Sequence, residues 1–279
     1  MKNTAYSINK SFAAGVGLFL LIILTGLFAP WLAPHDPLVI NLSNRLAPPS
    51  WDYPFGTDHL GRCVLSRVLF GTRVSALFAF LIVLCTLVIS LPIGLVTGYI
   101  RGKGGHLFMR VVDGILAIPD IVLTIAIVGM LGPGLFNMTI AIVLVRWAGY
   151  VRFIRSLVLN VCQADYIWSA RMSGNSHIRI MRRYILPKVS PPLLAYSVLD
   201  TGKAVLLIAG LSFLGLGTQP PAPEWGGMLH DATAYFQAAP HVMIFPGLAI
   251  LLFVAACQLI GEKREVLKVD RAKGTKWTA

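Results

Sequence analysis

Long apolar runs separated by short polar joints make up most of the chain. Six runs stand out, at 12–32, 74–100, 108–131, 135–154, 193–216 and 241–260. Each is long enough to cross a hydrocarbon core as a helix. The joints differ in character. Residues 101–106 are short and basic, and Gly132-Pro133-Gly134 is a tight uncharged turn. Residues 218–240 hold Pro220, Pro221 and Pro223 and neither lysine nor arginine. The 33–73 joint is broken up by Pro34, Pro37, Pro48, Pro49 and Pro54. Its end places Arg62, Arg67 and Arg73 at near-helical spacing with Leu60, Val64, Leu65 and Val68 between them, which predicts a short interfacial amphipathic helix ahead of the second span. Pro92, Pro119 and Pro246 fall inside spans and predict kinks.

Composition agrees with this pattern. Of 279 residues 56% are hydrophobic and 13% charged, and the mean hydropathy is +0.72. The net charge of +12 would suggest nucleic acid for a soluble chain. Here the cations sit in joints and read as topology signals, so no nucleic-acid partner is expected. Of the 24 Lys and Arg, 18 fall on one side of a six-span layout. Arg45, Arg62, Arg67 and Arg73 fall on the other, and Arg146 and Lys203 lie within spans. The bias places both termini on the cytoplasmic side. The expected layout is a cytoplasmic N-terminus at 1–11, a first span at 12–32, a periplasmic loop at 33–73, a transmembrane core at 74–261 and a basic cytoplasmic tail at 262–279.

The longest polar interruption inside the core is 163–188. Arg171, Arg179, Arg182, Arg183 and Lys188 stand there against one acid, Asp165. Its middle, Ser173-Gly174-Asn175-Ser176, predicts a helix stop and a new start. Gly174 can adopt φ > 0, and Asn175 or Ser176 can cap the next helix. Pro187 is expected to close that second segment. A helix–glycine–helix elbow on the cytoplasmic face has the shape of a docking element, while its composition alone also fits a loop that only sets topology.

Ionisable groups within spans are costly and become functional candidates. Asp200 and Lys203, three residues apart, can neutralise each other on one helix face or line a path. Asp113 can pair with Arg110 or with a neighbouring helix. Asp120, just after Pro119, faces a cavity or forms a buried ion pair with Arg146. Cys63, Cys85, Cys162 and Cys257 are scattered, and the histidines are not paired. Neither a disulfide framework nor a metal site is indicated. No phosphate-binding G-x-x-x-x-G-K-[ST] occurs, and no catalytic constellation emerges.

The elbow resembles the EAA-type cytoplasmic loop of ABC importer permeases. Ala170 and Gly174 match that pattern, as do Leu186 and Pro187 near its end. Trp168 and Ser169 replace the usual Glu-Ala, and Tyr184 replaces the usual His. Three further stretches resemble the peptide/nickel branch of those permeases. They are Phe55-Gly-Thr-Asp-His-Leu-Gly-Arg62, Arg110-Val-Val-Asp113 with Ile118-Pro119, and Leu211-Ser-Phe-Leu-Gly-Leu-Gly217 with Pro223-Glu-Trp-Gly226. Cys63 stands where that branch usually has Asp. The run from Arg146-Trp147 to Arg155-Ser156 and Leu199-Asp-Thr-Gly202 look most like nickel-type members, whereas Lys203 does not.

The resemblance implies an all-α integral membrane protein with six transmembrane helices and the type I ABC importer permease fold. It implies a permease subunit of an ATP-driven importer in the inner membrane, carrying nickel or a nickel chelate by preference and di- or oligopeptides as the alternative. The implied partners are a homologous second permease, two ABC ATPase subunits, a periplasmic or lipid-anchored substrate-binding protein and membrane lipid. The implied chain is not an enzyme and holds no cofactor, ATP and Mg being bound by the ATPases. Coupling is expected through Ala170, Gly174, Ile178, Leu186 and Pro187, and substrate passage along Asp120, Arg146 and Asp200. A different class, an ion-coupled secondary transporter with Asp120 and Asp200 as proton carriers, fits the elbow less well.

Overall fold

The structure is a computed structural model that describes residues 10–100 and 102–274, with side chains up to Gly261. The expected 1–11 segment lies almost wholly outside the described residues, as do Arg101 and the end of the basic tail. Every regular element among the described residues is helical, and chain contacts divide it into two compact units.

The first unit comprises 1–80, 133–135 and 198–279. Helix α1 (Lys10–Leu27) is followed by the single turn α2 (Ala29–Leu32). Leu20, Leu21, Leu24 and Leu27 of α1 are exposed, an arrangement that suits hydrocarbon surroundings and not water. Helix α3 (Val64–Tyr99) begins in this unit and runs on unbroken for 36 residues. No break separates an interfacial helix from the second span, and the turns expected at the interface are the first turns of α3. The physical reason is the fate of the arginines. Arg62 and Arg67 are buried, and their charges are met by protein.

Asp58 is the hub of that burial. Its Oδ1 accepts from the backbone N–H groups of Leu60 and Arg62, both at 2.9 Å. Its Oδ2 lies 2.7 Å from Arg62 Nε and 3.5 Å from Arg67 Nε. Arg62 Nη2 also lies 3.8 Å from Asp231. Arg67 Nη1 donates to the carbonyls of Pro37 at 3.3 Å and Pro221 at 3.4 Å, tying two distant loops to the start of α3. The Phe55–Arg62 stretch is thus a folded knot closed by an isolated bridge between Thr57 and Cys63.

Helix α10 (Trp225–Ala232) packs beside this knot and against α11 (His241–Gly274). Trp225 is fully buried, and its indole N–H donates to the Val68 carbonyl at 3.1 Å. Glu224 caps α10 from a buried position. Its two oxygens accept from Gly226 N at 2.9 Å and Gly227 N at 2.8 Å, and Ser75 Oγ donates to it at 3.2 Å. The apolar centre joins Val64, Val68, Met228, Ala232 and Val242. Helix α1 lies along α11, with Phe19 and Phe253 5.6 Å apart.

The second unit comprises 81–132 and 136–197. Here the expected third span is broken. Helices α4 (Lys103–Leu116) and α5 (Asp120–Leu131) meet at 84°. Pro119 causes the break, because it has no N–H and its ring disfavours helix at the preceding residue. Helix α6 (Leu135–Val161) carries Arg146, Arg152 and Arg155 along 27 residues. The C-terminal part of α3 lies directly on it. A Cβ added at Gly94 would stand 2.6 Å from Ile154, and one at Gly98 2.7 Å from Val158.

The chain then enters α7 (Asp165–Met172), α8 (His177–Ile180), a π-helical turn (Met181–Ile185) and α9 (Leu186–Phe213). Contrary to expectation, Pro187 does not close the segment. It sits in the first turn of α9, just after a π-turn in which the Leu186 N–H donates to the Met181 carbonyl, a widened turn that leaves room for the proline ring. Four helical stretches among the described residues are long and apolar enough to cross a membrane: Lys10–Leu27, Val64–Tyr99, His177–Phe213 and His241–Gly261. The α4–α5 pair makes five if it is one span. Helix α6, the remaining expected span, is long enough but carries three arginines.

The Glu224 cap yields a prediction. Glu224→Ala removes an acceptor for two backbone N–H groups and one hydroxyl, all partly or wholly buried. The expected loss is about 1–3 kcal/mol for each donor left unsatisfied. In detergent, thermal unfolding of the variant should begin well below that of the parent, while an exposed control such as Leu251→Ala should not shift it.

Candidate functional site

The 163–188 elbow is built on one buried stripe. Ile167, Ala170, Ile180 and Ile185 point inward, where they meet Tyr99 from the end of α3, Val158 and Cys162 from α6, and Val189 from α9. The stripe leaves the outer side free. Trp168 is 55% exposed, Met172 89% and Ile178 66%. Arg179, Arg182, Arg183, Pro187 and Lys188 are exposed around them. An apolar knob rimmed by cations is therefore carried on a rigid apolar base.

The turn in the middle follows from local chemistry. Gly174 has φ +74°, and its N–H donates to the Arg171 carbonyl at 3.0 Å. Asn175 N–H reaches back to the Ala170 carbonyl at 3.4 Å. These two bonds make a Schellman motif, which satisfies the last carbonyls of α7 and turns the chain. The Asn175 side-chain amide donates to the same Ala170 carbonyl at 3.0 Å. Ser176, one of the two expected caps, accepts from Arg179 N–H with its hydroxyl and starts α8. The same motif ends α9, where Gly215 has φ +81° and bonds run back to Ser212 and Leu211.

Of the five expected coupling residues, Ala170 is buried and belongs to the base. Gly174 forms the bend, and no atom lies within 4 Å of where its Cβ would stand. Ile178 is on the exposed knob, while Leu186 and Pro187 open α9. Tyr184, in place of the usual His, packs partly buried against the same apolar base. Trp168, in place of the usual Glu, lies over Arg171, with the guanidinium carbon 5.4 Å from its ring centroid.

The sequence reading passed over Tyr99. It is 5% exposed, its ring lies 4.8 Å from the Arg171 guanidinium carbon, and its hydroxyl is 3.1 Å from His177 Nδ1. The only sequence signal was a tyrosine at the end of a span, which reads equally well as a membrane-interface residue.

The charged groups within spans separate. Asp120 is exposed in the first turn of α5, where its charge suits the positive end of that helix. It is not the buried partner expected for Arg146, which is half-buried in the middle of α6. Asp113 takes the neighbouring-helix option and lies 3.4 Å from Arg152, both side chains at least half exposed. Asp200 is 4% exposed. Lys203 is exposed one turn later and makes no ion pair among the described residues, so the expected Asp200–Lys203 pair does not form.

Comparisons with known proteins agree with this architecture. Residues 90–262 match the family described as "Binding-protein-dependent transport system inner membrane component", and residues 7–49 match the N-terminal transmembrane domain of oligopeptide transport permease C. The chain is 41% identical over 264 residues to the di/tripeptide transport system permease protein DppC of Pseudomonas aeruginosa, covering 92% of this chain and 87% of that one. It is 40% identical over 242 residues to the nickel transport system permease protein NikC of Escherichia coli K12, covering 87% of each. It is also 40% identical over 257 residues to the probable D,D-dipeptide permease DdpC of the same strain, covering 92% and 86%. Among solved structures, the inward-facing MetNI methionine ABC transporter aligns with a TM-score of 0.58 at 19% identity, covering 75% of this chain and 96% of that one. That likeness carries the fold. The chain belongs to the inner-membrane permeases of binding-protein-dependent ABC importers, in the branch that holds the peptide and nickel permeases, and is a multi-pass membrane protein with the type I importer permease fold.

Proposed function

We propose that this permease is driven through the 163–188 elbow, which docks onto an ATPase subunit and passes its movement to the membrane helices. One observation carries the reading. The elbow exposes Trp168, Met172 and Ile178 on a base that is itself buried and continuous with α3, α6 and α9. Exposed apolar side chains on a polar, cationic segment mark a surface made to be covered. In this reading ATP and Mg are handled by two ATPase subunits, a homologous second permease completes the path, and a periplasmic or lipid-anchored binding protein delivers the cargo. Both termini lie in the cytoplasm, and α6 is the span that completes a set of six.

For the cargo we propose a small peptide. An exposed, unpaired Lys203 in the body of α9 is too costly to face lipid and belongs against protein or a watery path. A cation there attracts the carboxylate of a zwitterionic peptide and repels a divalent metal ion. The nickel reading favoured by residues 146–156 keeps one specific support, the 40% identity to the nickel permease NikC. Asp120, Arg146 and Asp200 remain candidates for the path beside Lys203.

Two outcomes are expected. Gly174→Val forces a β-branched residue into the left-handed region at a cost of about 1–2 kcal/mol, or roughly tenfold in the population of the intact elbow. Uptake should fall by about that factor while membrane insertion is unchanged. Normal uptake together with normal ATPase retention would refute the docking role. In a strain lacking the transporter and complemented with all its subunits, labelled dialanine should accumulate and labelled nickel should not. Lys203→Glu should lower dialanine uptake about tenfold, the scale of one charge-assisted hydrogen bond. Nickel uptake without dialanine uptake would overturn the peptide reading.

A further inference from the structure

Resting on the docking reading above, we propose that Arg171, Tyr99 and His177 form a latch through which elbow movement passes directly into α3, independently of the covalent path into α9. Tyr99 is the last residue of α3, and Arg171 and His177 flank the Gly174 bend on either side. The tyrosine ring lies under the Arg171 guanidinium at 4.8 Å, and its hydroxyl bonds His177 Nδ1 at 3.1 Å. One side chain of α3 therefore holds both arms of the elbow. Trp168 stands near the same guanidinium at 5.4 Å, so Arg171 is held by two rings.

The chemistry of this hold is unusual for a half-buried arginine. Arg171 Nε is buried and donates to no acceptor among the described residues, and no carboxylate pairs with the guanidinium. Aromatic faces are the contacts that hold it. Such contacts fall off gently with sliding and have no strict donor–acceptor angle, unlike a bidentate ion pair. A joint of this kind stays engaged while its two halves move by an ångström or two. The load has somewhere to go, because α3 is pressed onto α6 at Gly94 and Gly98, and Arg155 Nε donates to the Thr97 carbonyl at 3.3 Å. Pulling on Arg171 thus pulls the ends of α3 and α6 together. The latch also accounts for the departure at position 168: with a tryptophan there, the elbow gains a ring over Arg171 where the EAA-type pattern has an acid.

The test uses the whole transporter in proteoliposomes, loaded with whichever of dialanine and nickel the parent imports. ATPase retention, ATP hydrolysis and import per ATP are measured for Tyr99→Ala, Tyr99→Phe, Arg171→Ala, Arg171→Lys and the Tyr99→Ala/Arg171→Ala pair. Tyr99→Ala and Arg171→Ala should retain the ATPase subunits and hydrolyse ATP, with import per ATP lowered roughly fivefold or more. Tyr99→Phe, which keeps the ring, should lose much less. Arg171→Lys, which keeps the charge without the planar face, should fall between. The double variant should be no worse than either single one, as expected for two parts of one contact. An unchanged ratio in both alanine variants, or additive losses in the pair, overturns the latch alone. Failure of the parent chain to retain any ATPase subunit overturns the docking reading and the latch with it.

Discussion

Hydrocarbon offers a backbone no hydrogen-bond partner, and the rest of this structure depends on that constraint. Each N–H and C=O inside the membrane has to be satisfied within its own helix, so the helices run long and can stop only where local chemistry closes their ends. Two of the stops are the same motif, at Gly174 and Gly215, each with one bond back to the third-last and one to the second-last helical residue. A third stop is Pro119, where the missing N–H splits α4 from α5. Before Pro187 the chain takes the other solution and widens into a π-turn instead of stopping.

Charge is handled in two ways, and the contrast explains much of the site. Around Asp58 one carboxylate serves two buried arginines, while Arg62 also faces Asp231 and Arg67 donates to two backbone carbonyls. Removing any one member would strand a charge in a dry setting, which makes that knot stiff. Among the described residues no acid pairs with Arg171, and two aromatic rings take its place. Ring contacts have no strict donor–acceptor angle and so tolerate sliding. The knot sits at the start of α3 and the joint at its end, so this one helix begins in an ion-pair network and finishes in an aromatic one.

The elbow brings these themes together. Its inner stripe is as apolar as any protein core, its outer side keeps large apolar groups in the open, and its bend is set by one glycine with no neighbour to crowd it. The firm base, the uncovered face and the defined angle each come from a different kind of residue. Elsewhere, in α9, an exposed lysine without an ion pair among the described residues, Lys203, stands in a span otherwise rich in aliphatics.

Much of this was already determined by the residues themselves. Apolar runs measure out spans, and Gly174 with Asn175 and Ser176 specifies a stop and a restart. The order of motifs from Phe55 to Gly226 marks the family. These signals are local, because span length, turn chemistry and caps act over a few residues. The rest required tertiary structure. Sequence spacing suggested that Arg62 and Arg67 lie at an interface, and it left open whether Asp200 pairs with Lys203 or lines a path and whether Asp120 faces a cavity or is buried with Arg146. Tertiary structure drew the two arginines inward around Asp58, left Lys203 exposed without an ion pair among the described residues, and set Asp120 exposed at a helix start. Tyr99 shows the limit most clearly. It lies more than seventy residues from Arg171 and His177, and no periodicity links them. Only the packing of α3 on α6 and of both on the elbow brings that ring to the bend.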